Sequence, residues 1–200
     1  MPKPAAIVDS SFLVYLTKIK SENLFYALRL VFDQLLFPLE VVKEFTPKDN
    51  RPENTGRNQV IKQLDDVYYP FYTRCTSLDR VVMKTLEATQ KVDRGEAEAI
   101  AQARARHIRF ILTDDKKQLT HLPDPFKDLK YFNSLTIVCL LDLRGLLKSY
   151  QTCIQELYKI RPFKARDLHE AYHEAAQHER RAVSAKTLSE KCGLKNIGIK

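Results

Sequence analysis

Short apolar runs alternate along the chain with longer stretches in which apolar residues recur at helical spacing. The apolar runs have the length of buried strands and lie at residues 5–9, 34–37, 109–113 and 129–132. The strongest helical pattern is alanine-rich, and its small side chains would let a helix pack close to a sheet. Including that one, helices are predicted at residues 12–16, 38–45, 77–90, 93–107, 135–143, 150–158 and 165–182. Strands that alternate with helices predict an α/β fold with a parallel sheet.

Carboxylates stand where such a fold would bring side chains together. Asp9 and the pair Asp114–Asp115 each follow a predicted strand, and Glu96 lies in the first turn of the alanine-rich helix. Parallel sheets bind ligands outside the carboxyl ends of their strands, so we expect these acids to share one site. Clustered carboxylates repel one another unless a cation lies between them, and Mg²⁺ or Mn²⁺ favours oxygen ligands. No histidine or cysteine occurs at these strand ends, which argues against zinc.

Each acid also has a purely structural interpretation. Asp9 precedes two serines and could cap a helix, and Asp93 with Glu96 has the spacing of a capping box. Glu44 lies near the end of a short predicted helix and could be an ordinary surface glutamate. The pair Asp114–Asp115 could form a turn. Each acid alone is therefore ambiguous, and only their joint placement indicates a site.

The composition adds an expectation about partners and location. The chain has 200 residues, with 33 basic and 25 acidic side chains and a formal net charge of +8. A protein this basic attracts polyanions, of which nucleic acid is the commonest. The four cysteines lack zinc-finger spacing, no apolar signal segment follows Met1, and no apolar run is long enough to cross a membrane. We therefore expect a cytoplasmic protein with reduced, buried thiols and no membrane contact.

Four segments, taken in order, resemble the motifs of the PIN-domain family, metal-dependent nucleases that include VapC-type toxins. They are residues 7–11 with Asp9, residues 38–45 with Glu44, residues 95–103 with Glu96, and residues 111–116 with Asp114 and Asp115. The third segment is most similar to the subgroup that carries Gly-Glu-x-x-Ala-Ile. Each motif alone is common, whereas four in order within residues 5–145 are fairly specific.

The resemblance implies a PIN-like three-layer α/β/α sandwich, with a short central parallel sheet flanked by helices. It implies a nuclease domain over residues 1–160, followed by a basic helical extension over residues 161–200. Two departures from compact toxins stand out. The segment 46–76 is longer and more aromatic, and the chain continues past the usual end of the domain.

The resemblance also assigns roles to the acids, which would hold one or two Mg²⁺ or Mn²⁺ ions. The residues carried over as catalytic acids or metal ligands are Asp9, Glu44, Glu96, Asp114 and Asp115. Asp115 is preferred to Asp114 because the family motif has the form Thr-x-Asp. Glu44 would bind through water or orient the nucleophile. Two hydroxyl residues, Ser10 and Thr113, would hold the carboxylates in place.

The resemblance further implies an endoribonuclease that hydrolyses RNA phosphodiester bonds, as the toxin of a toxin–antitoxin pair. Lys43, Lys116 and Lys117 lie beside the motifs and are candidates for contacting RNA phosphates. An antitoxin protein and a second copy of the chain are candidate partners.

Three alternatives remain open from the sequence. They are a structure-specific DNA nuclease, a non-catalytic RNA- or protein-binding module, and an aspartyl-phosphate enzyme with Asp9 as nucleophile. The last class usually has a second acid two residues after the first, where this chain has Ser11. A binding module would have no need of the complete set of acids, because clustered charge is costly.

Overall fold

The structure, a computed structural model, describes residues 3–46, 57–58, 60–62, 64, 72–88, 92–115 and 128–199. The chain divides into two compact units, each made of two segments. The sheet unit comprises Met1–Thr17 and Phe32–Asn133, and the helical unit comprises Lys18–Val31 and Ser134–Lys200. All the acids singled out from the sequence belong to the sheet unit.

Helices occur in both units. In the sheet unit they are α1 (Ser10–Leu16), α3 (Leu39–Phe45), α4 (Ser77–Glu87) and α5 (Arg94–Ala105). In the helical unit they are α2 (Leu24–Val31), α6 (Ser134–Leu143), α7 (Tyr150–Ile160), α8 (Ala165–His178) and α9 (Ala185–Cys192). Further helical residues of the sheet unit lie at 57–58, 60–62 and 64.

The sheet has five parallel strands in the order β3-β2-β1-β4-β5. They are β1 (Ala5–Val8), β2 (Gln34–Pro38), β3 (Tyr72–Thr73), β4 (Phe110–Leu112) and β5 (Lys130–Phe132). Strand β1 is central, and successive strands first extend the sheet on one side of it and then on the other. Ligands of open parallel sheets bind at such a switch point, outside the carboxyl ends of the strands. Val8 pairs with Leu112, so β1 and β4 end at the same level.

Helix α5 has the alanine-rich sequence that predicted close packing. Ala97 and Ala101 are fully buried, in a core that also contains Ile7 of β1, Ile100 and Ile111 of β4. Because alanine carries only a methyl group, the helix backbone can lie close to the strands. The chain leaves α5 at its carboxyl end and enters β4, so the first turn of α5 lies towards the carboxyl ends of the strands. The α/β class, with a central parallel sheet flanked by helices, is thus confirmed.

The helical unit is organised around α6, whose residues Ile137 to Leu141 are all fully buried. Near its end, Asp142 accepts hydrogen bonds from the Tyr172 hydroxyl and from Lys191 Nζ, each at 2.9 Å. These bonds join α8 and α9 to α6. Gly145, just after this helix, has a φ of 68°, a left-handed conformation that glycine adopts without strain and that commonly ends a helix.

Two details of the helical unit differ from the sequence-based prediction or extend it. Helix α8 ends at His178 rather than at residue 182, because Arg180 adopts a φ of 53°, outside the helical region. Helix α9 follows, capped by the Ser184 side chain, which accepts from the backbone N–H of Thr187. The predicted boundary at residue 160 stays a prediction, since the helical unit includes residues on both sides of it.

The thiols only partly follow the expectation of burial. All four are free; Cys139, Cys153 and Cys192 are buried, whereas Cys75 is partly exposed. Within the described ranges, no helix is long and apolar enough to cross a membrane. Within the aromatic segment 46–76, residues 68–72 read Tyr-Tyr-Pro-Phe-Tyr, and of these five the structure describes only Tyr72, in strand β3.

Candidate active site at the carboxyl ends of the strands

Asp9 follows strand β1 directly, and its side chain is the centre of a hydrogen-bond network. It is 5% exposed, and its backbone N–H donates to the carbonyl of Leu112 in β4 at 2.9 Å. Its Oδ2 accepts from Ser11 Oγ at 2.5 Å and from Thr113 Oγ1 at 2.9 Å. Burial raises the pKa of Asp9, and these hydrogen bonds oppose that rise. Asp9 also caps α1, so the capping interpretation is correct but incomplete.

A pair of hydroxyls connects Asp9 to the end of β4. Ser11 Oγ and Thr113 Oγ1 lie 3.1 Å apart. The Ser11 hydroxyl accepts from the backbone N–H of Asp114 at 3.0 Å, and the Thr113 hydroxyl accepts from that of Asp115 at 3.1 Å. The two hydroxyls therefore hold the backbone of both aspartates close to the Asp9 carboxylate. Such outer contacts orient carboxylates that bind a ligand.

Glu96 occupies the first turn of α5, where Asp93 Oδ1 accepts from its backbone N–H at 2.9 Å. A capping box would also have the Glu96 side chain reach back to Asp93. Instead Glu96 is 5% exposed, and neither carboxyl oxygen has a hydrogen-bond partner among the described residues. Burial, followed by the charges of Asp93, Asp9 and Asp115, raises the pKa of Glu96 to about 8. The side chain is a buried carboxyl surrounded by like charge.

Glu44 reaches the same region from the last turn of α3. Its Oε2 accepts from Ser10 Oγ at 2.9 Å. A Cβ added to Gly95 would lie 2.5 Å from Glu44 Oε1, so the carboxylate occupies the space that a side chain at residue 95 would need. Loss of surrounding water raises the pKa of Glu44, and the charges of Asp93 and Asp9 raise it further. The acids of α3, α5 and β1 therefore act on one another electrostatically.

The geometry agrees with a comparison against family models, in which a model described as a PIN domain matches residues 5–178. The chain belongs to the PIN-domain family. PIN domains are generally nucleases and hence hydrolases. No curated protein and no solved structure matches the chain.

Most of the positions expected from the PIN motifs come together in the structure. The charges of Asp9 and Asp115 both act on Glu96, and the charge of Asp9 also acts on Glu44. Asp114 joins the site through its backbone bond to Ser11. Ser10 and Thr113, named from the sequence as supporting donors, bond to Glu44 and Asp9 respectively.

The basic residues named from the sequence are less well defined. Lys43 Nζ lies 2.9 Å from Glu40 Oε1, and Arg94 Nη2 lies 3.4 Å from the same oxygen. Both cations are largely exposed, so these ion pairs are weak and leave them accessible to a polyanion. Lys116 and Lys117 lie outside the described residues.

Three residues of the site were missed from the sequence. The sequence-based prediction assigns Ser11 no role in the site, yet in the structure it bridges Asp9 to the fourth motif. The sequence predicts Asp93 only as a helix cap, although its charge is the first of those that raise the pKa of both Glu44 and Glu96. Gly95 belongs to the third motif, but the motif does not reveal that the Glu44 carboxylate needs the space beside it. The Asp-x-Gly-Glu spacing was the available signal, because helix geometry places an N-cap acid beside the third helical residue.

The acids of the site have the chemistry to hold a divalent cation. Among the described residues, no three His, Cys, Asp or Glu side chains already form a group that could enclose a metal ion. The donors nevertheless have the right chemistry, because every acid of the site offers carboxylate oxygen, which Mg²⁺ and Mn²⁺ favour. Both oxygens of Glu96 lack a partner in the described part of the chain. A cation would satisfy those oxygens and relieve the repulsion, so the residues fit the group.

Proposed function

We propose that this PIN domain is a metal-dependent endoribonuclease that hydrolyses RNA phosphodiester bonds. The observation that carries the proposal is Glu96, a buried carboxyl whose two oxygens have no partner among the described residues and which lies beside the charges of Asp93, Asp9 and Asp115. A structural glutamate would be expected to have hydrogen-bond partners, because an unpaired buried carboxylate is strongly destabilising. A site that binds a cation explains why such a residue is there.

The ligands of Mg²⁺ or Mn²⁺ in this proposal are Asp9, Glu96 and Asp115, with Asp114 as the alternative to Asp115. Asp115 is favoured because its charge acts on Glu96. A bound metal would lower the pKa of a water and stabilise the leaving oxygen of the phosphodiester. Glu44, held by the Ser10 hydroxyl, orients the attacking water.

The supporting residues act before any substrate binds. Thr113 and Ser11 donate to the same oxygen of Asp9, which fixes the direction of that carboxylate. Asp93 keeps the first turn of α5 in place by capping the N–H of Glu96. Folding therefore orders these groups before the reaction begins, which is the advantage of a preorganised site.

RNA is proposed as the substrate from the family resemblance together with the net charge of +8. Lys43 and Arg94 both approach Glu40, whose charge also acts on Glu44, so these cations flank the acids. Phosphate contacts of this kind position a nucleic acid without reading its sequence. Lys116 and Lys117 are proposed to act likewise, because they directly follow Asp115 in sequence.

The decisive experiment measures cleavage of labelled single-stranded RNA, with single-stranded DNA as the parallel substrate. We expect RNA cleavage with Mg²⁺ or Mn²⁺, its loss in EDTA, and a loss of at least about 100-fold in Asp9→Asn and Glu96→Gln. Glu170→Gln, an exposed change on α8, is the matched control and should retain full activity. Cleavage that survives EDTA, or that is equal in Asp9→Asn, would falsify the metal-nuclease proposal. Preferential cleavage of DNA would replace RNA as the substrate.

We also propose, from the resemblance, that the nuclease is the toxin of a toxin–antitoxin pair and is located in the cytoplasm. Controlled expression of the wild-type chain in bacterial cells should then arrest growth, whereas Asp9→Asn at an equal level should not. An antitoxin and a second copy of the chain are the proposed partners. Normal growth at a high level of active enzyme would rule out the toxin role while leaving the nuclease proposal intact.

A further inference from the structure

Helix α5 carries two buried glutamates that point to different sides. Residues two apart on an α-helix are about 200° apart around its axis. Glu96 faces the cluster of acids, whereas Glu98 points away from that cluster and is only 2% exposed. Nothing in the proposed chemistry uses Glu98. A buried carboxylate is nevertheless costly unless it is well bonded, so its partners indicate what it does.

The partners of Glu98 come from three parts of the sheet unit, namely α3, α5 itself and the residues just before α4. Its Oε2 accepts from the backbone N–H of Glu40 in α3 at 2.6 Å. Its Oε1 accepts from Gln102 Nε2 of α5 at 3.0 Å and from Cys75 Sγ, just before α4, also at 3.0 Å. Gln102 is held in turn by Thr73 of β3. Glu98 is therefore the bonded centre of a polar network on the side of α5 away from Glu96.

The bond to Glu40 matters because of where α3 begins. The residue before α3 is Pro38, which provides no side-chain cap, so the first N–H groups of the helix depend on other partners. The Glu98 carboxylate, on helix α5, provides such a partner for the N–H of Glu40. A charged acceptor bonded to a backbone N–H is among the stronger hydrogen bonds in proteins. The start of α3 is thereby attached to the second turn of α5.

The other end of α3 is also fitted to α5. Glu44 lies four residues after Glu40, and its carboxylate occupies the space above Gly95. Helix α3 thus meets α5 at two places, with Glu98 at its beginning and Gly95 at its end. Because Gly95, Glu96 and Glu98 are on one rigid helix, α5 sets the separation between the carboxylates of Glu44 and Glu96.

We propose that Glu98 is a positioning residue, which holds α3 and so places the Glu44 carboxylate correctly relative to Glu96. The inference rests on the proposed nuclease function, in which Glu44 orients the attacking water. Glu98 itself contacts neither substrate nor metal. Its effect on catalysis passes entirely through Glu44.

The test is a double-mutant cycle with Glu98→Ala and Glu44→Gln, measured as kcat for RNA cleavage. Misplacing a catalytic group by about 1 Å can cost on the order of 100-fold, so Glu98→Ala should lower kcat by about 10- to 100-fold. In the Glu44→Gln background the same change should lower kcat less than about threefold, because the group it positions is already disabled. Glu98→Gln keeps one oxygen for the Glu40 N–H and should restore kcat to within about threefold of wild type.

Asp79→Ala is the matched control, since Asp79 is a buried acid of the same unit that caps α4 and has no bond to α3. It should lower the melting temperature and leave kcat unchanged. Equal losses from Glu98→Ala in the wild-type and Glu44→Gln backgrounds would overturn the proposal. So would a kcat for Glu98→Ala that matches the Asp79→Ala control.

Amide hydrogen exchange separates a failure of this inference from a failure of the nuclease proposal. In Glu98→Ala the amides of α3, beginning with Glu40, should exchange faster while those of α5 stay protected. If the wild-type chain cleaves nothing, the nuclease proposal fails, and the exchange result alone then decides whether Glu98 holds α3. Unchanged protection of α3 in Glu98→Ala would overturn the positioning role whatever the activity.

Discussion

Glu96→Gln should make the metal-free protein more stable while removing its activity. The substitution keeps the shape of the side chain and removes its charge from a place where burial and three aspartates raise the pKa of Glu96 from 4.5 to about 8. Between those two pH values the folded state holds a proton on Glu96 that the unfolded state has released. The stability of the wild-type protein therefore falls as the pH rises through this window.

The magnitude follows from the size of the shift. Each pKa unit corresponds to about 1.36 kcal/mol, so wild type loses about 3 kcal/mol by pH 7 and about 5 kcal/mol above pH 8. These are ceilings, because local rearrangement relieves part of the repulsion. A net gain of about 2–3 kcal/mol for Glu96→Gln at pH 7 corresponds to roughly 4–12 °C in Tm for a chain of this size.

The assay is thermal unfolding by circular dichroism, in EDTA, at pH 5, 7 and 8.5. Glu96→Gln should match wild type near pH 5 and unfold at an increasingly higher temperature as the pH rises. The exposed variant Glu170→Gln should show no such trend. Adding Mn²⁺ should stabilise wild type and have little effect on Glu96→Gln, because ligands stabilise the state that binds them. A Glu96→Gln protein that is less stable than wild type at pH 8.5, or a difference that does not depend on pH, would refute the reasoning.

Two further substitutions test the contacts around the acids. Gly95→Ala suits a helix, so the stability should stay equal or rise by up to about 1 kcal/mol. It should nevertheless lower kcat about 10-fold, because the new Cβ displaces the Glu44 carboxylate. An unchanged kcat would show that this placement of Glu44 is unimportant. Thr113→Val removes the hydroxyl that donates to Asp9 and accepts from the Asp115 N–H. It should weaken Mn²⁺ binding, measured by calorimetry, about 10- to 100-fold, with Val8→Ala as a packing control. Equal affinities in both variants would exclude an orienting role for the hydroxyl.

Much of the sheet unit was predictable from local pattern. Strands β1 and β4 are short apolar runs that are followed within two residues by aspartate. The alanine-rich segment became α5, which has more buried residues than any other helix that the structure describes in full. These strands and this helix can be predicted from the sequence because the spacing of apolar positions and the size of side chains are local properties of the chain. The order of the motifs likewise predicted the family, which the match over residues 5–178 confirms.

The hydrogen-bond partners of individual polar groups could not be predicted from the sequence in the same way. Asp93 and Glu96 have the spacing of a capping box, and only the structure shows that Asp93 caps while Glu96 turns into the site. The Thr76–Asp79 pair of α4, with the same spacing, does form the complete box. Spacing fixes which groups can meet, but burial and neighbouring charge decide which hydrogen bond forms.

The sequence by itself determined the α/β class, the family and the positions of the acids, because these depend on residue type and on spacing along the chain. The tertiary structure alone decided that Ser11 bridges Asp9 to the fourth motif, that Gly95 makes room for Glu44, and that Glu98 caps a helix 58 residues earlier. Those contacts join residues far apart in the chain. Their formation depends on the strand order and on the close approach of α5, and no local pattern contains either.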